Sequence, residues 1–396
     1  MPGFELWGEE ERREVEEVLE TGILMRYGFD GPRRGRWKAR DLEAALCQRT
    51  GAAHALVVSS GTAALTTALA ALGVGAGDEV VMPTFTFVAI FEAVISVGAI
   101  PVLADVDDTL TLSPAAARAA ITPRTRVVMP VHMCGAMADL GALDALCREK
   151  GIALLEDACQ ATGGTWKGRA LGSIGKAGCY SFDFVKTITC GEGGAVVTSD
   201  PEVARRCEQF ADHGHDHLGV DRGADMHPAI GYNFRISELH AAVGLAQIRK
   251  LDRFLEIQRR NKAALRSALA AVAGVTFRRI PDPEGDSASF LSFFLPHEGR
   301  ARAAARAMQG AGIPAMYWYD NNWHYVRRWD HLKSAASPNP LPVNVRTALA
   351  ALAARPFPAS DAVMCRAIST PIGLGWSDEQ LAERAAKLAA AVGSVG

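Results

Sequence analysis

Short apolar runs alternate along the chain with longer stretches in which apolar residues recur at helical spacing. The runs at 55–58, 79–82, 100–104, 127–131, 153–156, 179–182 and 195–198 are four or five residues long and largely apolar. Runs of that kind suit strands buried on both faces, and most of the intervals between them are long enough for a helix. The alternation predicts an α/β fold in which a mostly parallel, seven-stranded sheet carries helices on both faces. The strongest helical period follows Ser237, where Leu239, Val243, Ile248 and Leu251 tend to one side. The large domain is expected to end with that helix, giving a first domain over 1–255 and a smaller C-terminal α/β domain over 256–396. In the second, a Pro-rich segment at 337–342 is expected to be exposed and an Ala-rich terminal helix to begin at Asp378.

Composition narrows the partners. A chain of 396 residues, 49% hydrophobic, can build the cores of two or three domains. Its 42 basic and 44 acidic residues leave a net charge of -2, so nothing in the charge favours nucleic acid or an anionic membrane, and a small-molecule partner is expected. The eight cysteines are scattered without a CxxC pair, which suggests reduced thiols that pack in a cytoplasmic protein. The start of the chain lacks a basic segment followed by an apolar one, and no uninterrupted apolar stretch reaches the roughly 18 residues of a membrane span. The expectation is a protein neither exported nor membrane-spanning.

Three features carry chemistry. Lys186 lies in the run GCYSFDFVKTITCGEGG at 178–194, among mostly apolar and glycine positions. A partly buried ammonium loses hydration, can deprotonate and can form a Schiff base with an aldehyde cofactor, although a surface lysine beside a Gly-rich turn would fit the same run. Asp157 ends the buried-strand run IALLEDACQ at 152–160, where α/β proteins place ligands, and it precedes Lys186 with one further strand between them. It could pair with a protonated ring nitrogen or simply cap a helix. The run SSGTAAL at 59–65 opens a helix with free amides and a positive dipole end, suited to phosphate or to ordinary capping. Neither a G-x-G-x-x-G nor a Walker lysine pattern accompanies it. Together the lysine, the strand-edge aspartate and the helix start suggest pyridoxal phosphate.

The chain resembles the DegT/DnrJ/StrS group of sugar aminotransferases, which have the fold-type I architecture of pyridoxal phosphate enzymes. The resemblance rests on SSGTAAL at 59–65, GDEVVMPTFTFVA at 77–89, EDACQATGGTWKGRALGSIG at 156–175, SFDFVKTITCGEGGAVVT at 181–198 and YNFRISELHAAVGLAQIRKLD at 232–252. It implies that Lys186 is the Schiff-base lysine and Asp157 the partner of the ring nitrogen. It places Gln160 near the cofactor's phenolic oxygen, Phe87 on the ring, and Gly61, Thr62 and Ser181 on the phosphate. Asn233 would reach the same phosphate from a neighbouring subunit, which implies a homodimer with shared active sites. Several members that are not aminotransferases lack the lysine, so its presence argues against the lysine-less dehydratase branch. The run HMCG at 132–135 departs from the family's usual Leu-Tyr-Gly ending.

A closer resemblance links MPGFELWG at 1–8, DHGHDHLGVDRGADMHP at 212–228, IPDPEGDSASFLSF at 280–293 and YWYDNNWHY at 317–325 to the branch that makes 8-amino-3,8-dideoxy-octulosonate, the 8-amino form of the lipopolysaccharide sugar Kdo. It implies ping-pong transamination. L-glutamate converts pyridoxal phosphate to pyridoxamine phosphate, which then aminates the C8 aldehyde that an upstream dehydrogenase makes from Kdo. Other acceptors consistent with the motifs are a nucleotide-linked keto sugar or an aminocyclitol ketone, and a non-catalytic regulatory protein on this scaffold is the third reading. For the acidic sugar, His215, Arg235, Trp318, Trp323 and His324 are candidate contacts, with packing at an interface as their alternative. His213, His215 and His217 read as a loop rather than a metal cluster, and no catalytic metal is expected. Arg26, Arg33, Arg34 and Lys38 read as a solvated basic turn.

Overall fold

The computed structural model describes residues 3–218 and 223–395, so the runs quoted above at 1–8 and 212–228 fall partly outside it, at 1–2 and 219–222. All seven apolar runs form strands: β1 (His54–Val58), β2 (Glu79–Pro83), β3 (Ile100–Ala104), β4 (Thr125–Val128), β5 (Ala153–Asp157), β6 (Ala177–Ser181) and β7 (Gly194–Thr198). They make one sheet in the order β1-β7-β6-β5-β4-β2-β3, in which β7 runs antiparallel to both neighbours and the remaining pairs are parallel. The fourth strand ends earlier than the apolar run 127–131 predicts. Pro130 has no N–H to donate, so the ladder stops there, and the Pro130 carbonyl instead accepts from Asp157 N at 3.0 Å.

Alternate residues of each strand feed two separate cores, which is why the runs are continuously apolar. Leu56, Val58, Val80, Met82 and Leu155 pack on one face. Val57, Val81, Val128, Leu154 and Val197 pack on the other. The helix after Ser237 spans Glu238–Arg249, capped by the Ser237 side chain. Its predicted single apolar side is corrected by the structure: every residue from Ala241 to Ile248 is buried, and Leu251 opens the next helix. The helix lies against both Glu9–Leu19 and Lys38–Thr50, and its small residues permit that closeness. A Cβ on Gly244 would lie 2.9 Å from Leu42 Cδ2.

The boundary expected at 255/256 falls inside the helix Leu251–Ala270. Beyond it, Thr276–Phe277, Phe290–Phe294 and Ala367–Pro371 form an antiparallel three-stranded sheet. Leu265, Phe293, Ile368 and Leu388 make a third core beside it. The Pro-rich segment is exposed, and the terminal helix starts at Asp378 behind a Ser377/Gln380 capping box. Among the described residues no helix is long and apolar enough to cross a membrane.

The basic residues near the start are not a solvated turn, apart from exposed Arg34. Arg26, Arg33 and Lys38 are buried. Arg26 donates to the Val57 carbonyl at 2.8 Å and pairs with Glu43 at 2.7 Å. Arg33 donates to the Gly28 carbonyl at 2.6 Å and lies 3.5 Å from Glu238. Lys38 bridges Glu14 and Glu17, each at 2.6 Å. Residues 3–5 also fold inward. Gly3 N–H donates to the Lys186 carbonyl at 3.1 Å, Phe4 stacks on Phe184 at 4.5 Å, and Glu5 accepts from the Leu374 and Gly375 amides at 2.7 and 2.8 Å.

Burial alone would lower the Lys38 ammonium and raise the Glu14 carboxyl, yet their hydrogen bonds and charges outweigh it in both cases and hold the pair ionised. Replacing Lys38 leaves Glu14 buried with Arg249 at 2.6 Å and the largely exposed Arg13 at 4.0 Å. Lys38→Met is therefore expected to cost about 3 kcal/mol of unfolding free energy, measured as a lower urea midpoint at unchanged m-value.

Candidate active site

The strands β1, β5 and β6 end at one edge of the sheet, and a cavity of about 220 Å³ opens there. Lys186, Asp157, Gly61, Thr62, Phe87, Gln160, Ser181 and His324 all line it. Gly61, Asp157 and Lys186 meet because strands running in the same direction deliver their following loops to one edge, and the segment at 317–325 adds His324 from the smaller region.

Lys186 sits on a tight loop closed by a bridge between Asp183 and Gly191. Its own amide donates to the Asp183 carbonyl at 3.0 Å, and Cys190 N–H donates to the Phe182 carbonyl at 2.9 Å. The flanking Phe184 and Val185 are exposed, whereas Lys186 is half-buried and faces the cavity.

Asp157 is the last residue of β5 and is buried. Its Oδ1 accepts from Cys159 N at 2.9 Å. Burial pushes its pKa up, while that hydrogen bond and the Lys186 charge pull it down without cancelling the rise. A carboxylate in this state fits a cationic ring nitrogen, whose charge would offset the lost hydration. Behind it, the Glu156 carboxylate is saturated by the amides of Gly172, Ile174 and Gly175 and by His132 Nε2 at 3.1 Å. Ala138 N–H donates to His132 Nδ1, so the His132 proton is on Nε2.

The helix Gly61–Ala71 starts at the cavity. Ser60 accepts from Ala63 N at 3.0 Å, and the Gly61 and Thr62 amides, lining the cavity, have no protein acceptor among the described residues. Ser181 lies against this helix start: a Cβ on Gly61 would come within 2.7 Å of Ser181 Cβ. Two free amides, a dipole end and a hydroxyl form a cradle that fits a phosphate. Gln160 Oε1 accepts from Cys134 N at 3.2 Å, which leaves its Nε2 group as the donor available to the cavity. The departing run at 132–135 therefore serves to orient Gln160.

The remaining candidates lie elsewhere. Trp318 is buried outside the cavity, its Nε1 donating to Ser369 Oγ at 2.8 Å and its ring packing on Phe85 and Phe290, so it joins the two regions of the chain. Trp323 is exposed and stacks over Phe87 at 5.6 Å. Arg235 pairs with buried Asp212. His215 is buried against the His227 ring at 4.2 Å, with Asp225 at 3.4 Å. His217 stacks on Tyr27, and His213 is exposed. Asn233 is exposed and bridged to Asp212, outside the cavity of its own chain. Among the described residues no group of three or more His, Cys, Asp or Glu side chains is placed to hold a metal ion. Ser60, Cys159, Asp183 and Glu192 also line the cavity and were missed, although each lies inside one of the runs at 59–65, 156–175 and 181–198.

Residues 6–388 match the DegT/DnrJ/EryC1/StrS aminotransferase family. The chain belongs to that family. Its fold is that of pyridoxal phosphate-dependent aminotransferases, and pyridoxal phosphate is the cofactor. A 3-amino-5-hydroxybenzoic acid synthase shares 32% identity with it, covering 98% of this chain and 97% of its own, with a TM-score of 0.82. The S. venezuelae aminotransferase DesV, solved with a ketimine intermediate, shares 28% over 97% of this chain and 94% of its own, at 0.78. The aminotransferase TlmJ from Streptoalloteichus hindustanus shares 27% over 98% of both, at 0.81.

The cradle gives a direct test. Gly61→Ala pushes a methyl group into Ser181, a clash worth about 1–3 kcal/mol if the helix start does not shift. The expected result is at least tenfold weaker binding of pyridoxal phosphate, about 1.4 kcal/mol, by equilibrium dialysis, with native far-UV circular dichroism.

Proposed function

We propose that this protein moves an amino group from L-glutamate to the C8 aldehyde of oxidised Kdo, giving 8-amino-3,8-dideoxy-octulosonate, as a homodimer with shared active sites. The observation that carries amino transfer is the meeting of Lys186, buried Asp157 and the unpaired amides of Gly61 and Thr62 in one cavity. The acceptor is argued from the run at 317–325, where the resemblance to the 8-amino-sugar branch is carried. That run contributes His324 to the cavity wall and lays Trp323 over Phe87.

In this reading Lys186 would hold the aldehyde carbon of pyridoxal phosphate, Asp157 its ring nitrogen, and Gly61, Thr62 and Ser181 its phosphate. Gln160 Nε2 would donate to the phenolic oxygen, and Phe87 would cover the ring. When bound, the cofactor supplies an electron sink that weakens the C–H bond beside the reacting nitrogen. Lys186 Nζ, once free, takes the proton from Cα of glutamate and returns one to the new carbon–nitrogen centre of the sugar. Asp157 would keep its negative charge beside the ring nitrogen throughout. Asn233, exposed and outside its own cavity, is available to the phosphate of a second copy.

Similarity to the hydroxybenzoate synthase favours a second reading, a cyclic ketone as acceptor, with a nucleotide-linked keto sugar in the same class. One experiment separates these. The enzyme is incubated with glutamate and a panel comprising oxidised Kdo, nucleotide-linked keto sugars and cyclitol ketones, and the aminated product is identified by mass spectrometry. Amination of oxidised Kdo at C8 alone is the expected outcome, and amination of a ring ketone alone would replace the acceptor. Lys186→Ala is expected to bind pyridoxamine phosphate while losing at least about a thousandfold in kcat. Turnover near the wild-type rate would remove the lysine from its role.

A further inference from the structure

His324 is the one residue of the run at 317–325 that lines the cavity, and its hydrogen bonding is determined by its neighbours. Trp323 N–H donates to Asn321 Oδ1 at 2.9 Å, so that atom is an acceptor. His324 Nδ1 lies 3.0 Å from the same oxygen and must therefore carry its proton. Burial, and then the nearby Lys186 charge, lower the His324 pKa to about 3, so the ring is neutral at physiological pH. The proton-free nitrogen is then Nε2, which no donor meets among the described residues. The ring is wedged between Phe87 at 5.3 Å and Trp318 at 4.9 Å, and the His324 carbonyl accepts from Thr86 N at 2.8 Å, so the ring has little freedom to turn.

A neutral imidazole presenting a lone pair repels a carboxylate and attracts an O–H. We propose that His324 is a specificity-determining residue whose Nε2 accepts a hydrogen bond from a hydroxyl of the acceptor, selecting a polyhydroxylated substrate and leaving its carboxylate to be bound elsewhere. The inference rests on the sugar reading given above. It assigns the acceptor end of the cavity a chemistry opposite to that of a cationic acid-binding site. A site with a fixed acceptor discriminates strongly because an analogue without the hydroxyl leaves that acceptor desolvated and unpaired.

The test uses the holoenzyme in its pyridoxamine phosphate form and isothermal titration calorimetry with two unreactive probes. Kdo carries hydroxyls and a carboxylate, and glutarate carries carboxylates only. His324→Phe keeps the ring stacking but removes the acceptor, and is expected to weaken Kdo about ten- to a hundredfold while shifting glutarate by less than about threefold. His324→Gln, which retains an acceptor oxygen, is expected to recover most of the Kdo affinity. Equal Kdo affinity in wild type and His324→Phe, or equal losses for both probes, overturns the inference alone. Wild-type enzyme that accepts an amino group from glutamate yet binds no Kdo overturns the sugar assignment and the inference with it.

Discussion

A carboxylate buried at the end of a strand needs a positive charge within reach, and at Asp157 that constraint organises the rest of the site. Two cores pack on opposite faces of the sheet and strip water from β5, so hydration cannot stabilise the ionised form. Glu156, one residue earlier, accepts from three backbone amides and His132, so those donors are already engaged and none is left for Asp157. What remains is the cavity side, where the Lys186 charge acts on Asp157. The loop that carries the lysine is tied by backbone bonds to Phe182 and Asp183, which fixes its backbone near the carboxylate.

Much of this was legible from residue order because strands buried on both faces must be apolar throughout. The seven runs therefore marked the seven strands; parallel pairing placed the loops after β5 and β6 together, and β7, antiparallel to both β6 and β1, set β1 in the same direction. Helix exposure was less legible. Period alone suggested one buried side for Glu238–Arg249, but alanine and glycine take up so little room that neighbours close on every side. Charge misled for a related reason: Arg26, Arg33 and Lys38 read as solvated because their partners, Glu43, Glu238, Glu14 and Glu17, belong to other elements of the chain. Seven of the eight cofactor-site residues that the motifs singled out meet in one cavity, Asn233 being the exception. Of the five proposed sugar contacts only His324 joins them, since a Trp can anchor two regions or cover a ring, and only packing decides between them.

The smaller region contributes more than support. Its segment at 317–325 crosses the chain after β2, where the Trp323 and His324 carbonyls accept from Val88 and Thr86. The cavity wall is thus built across two regions joined by a continuous helix, and substitutions at Trp318 or Ser369 can alter it without touching it.

The inward fold of residues 3–5 has a practical side. Gly3 is buried, and a side chain there would collide with Gln247 and the Thr187 carbonyl. Its amide holds the carbonyl of Lys186, while Glu5, two residues on, grips the backbone at 374–375. A change at Gly3 would therefore be felt at the backbone of Lys186, and alterations made near this point become a variable of any assay on this protein.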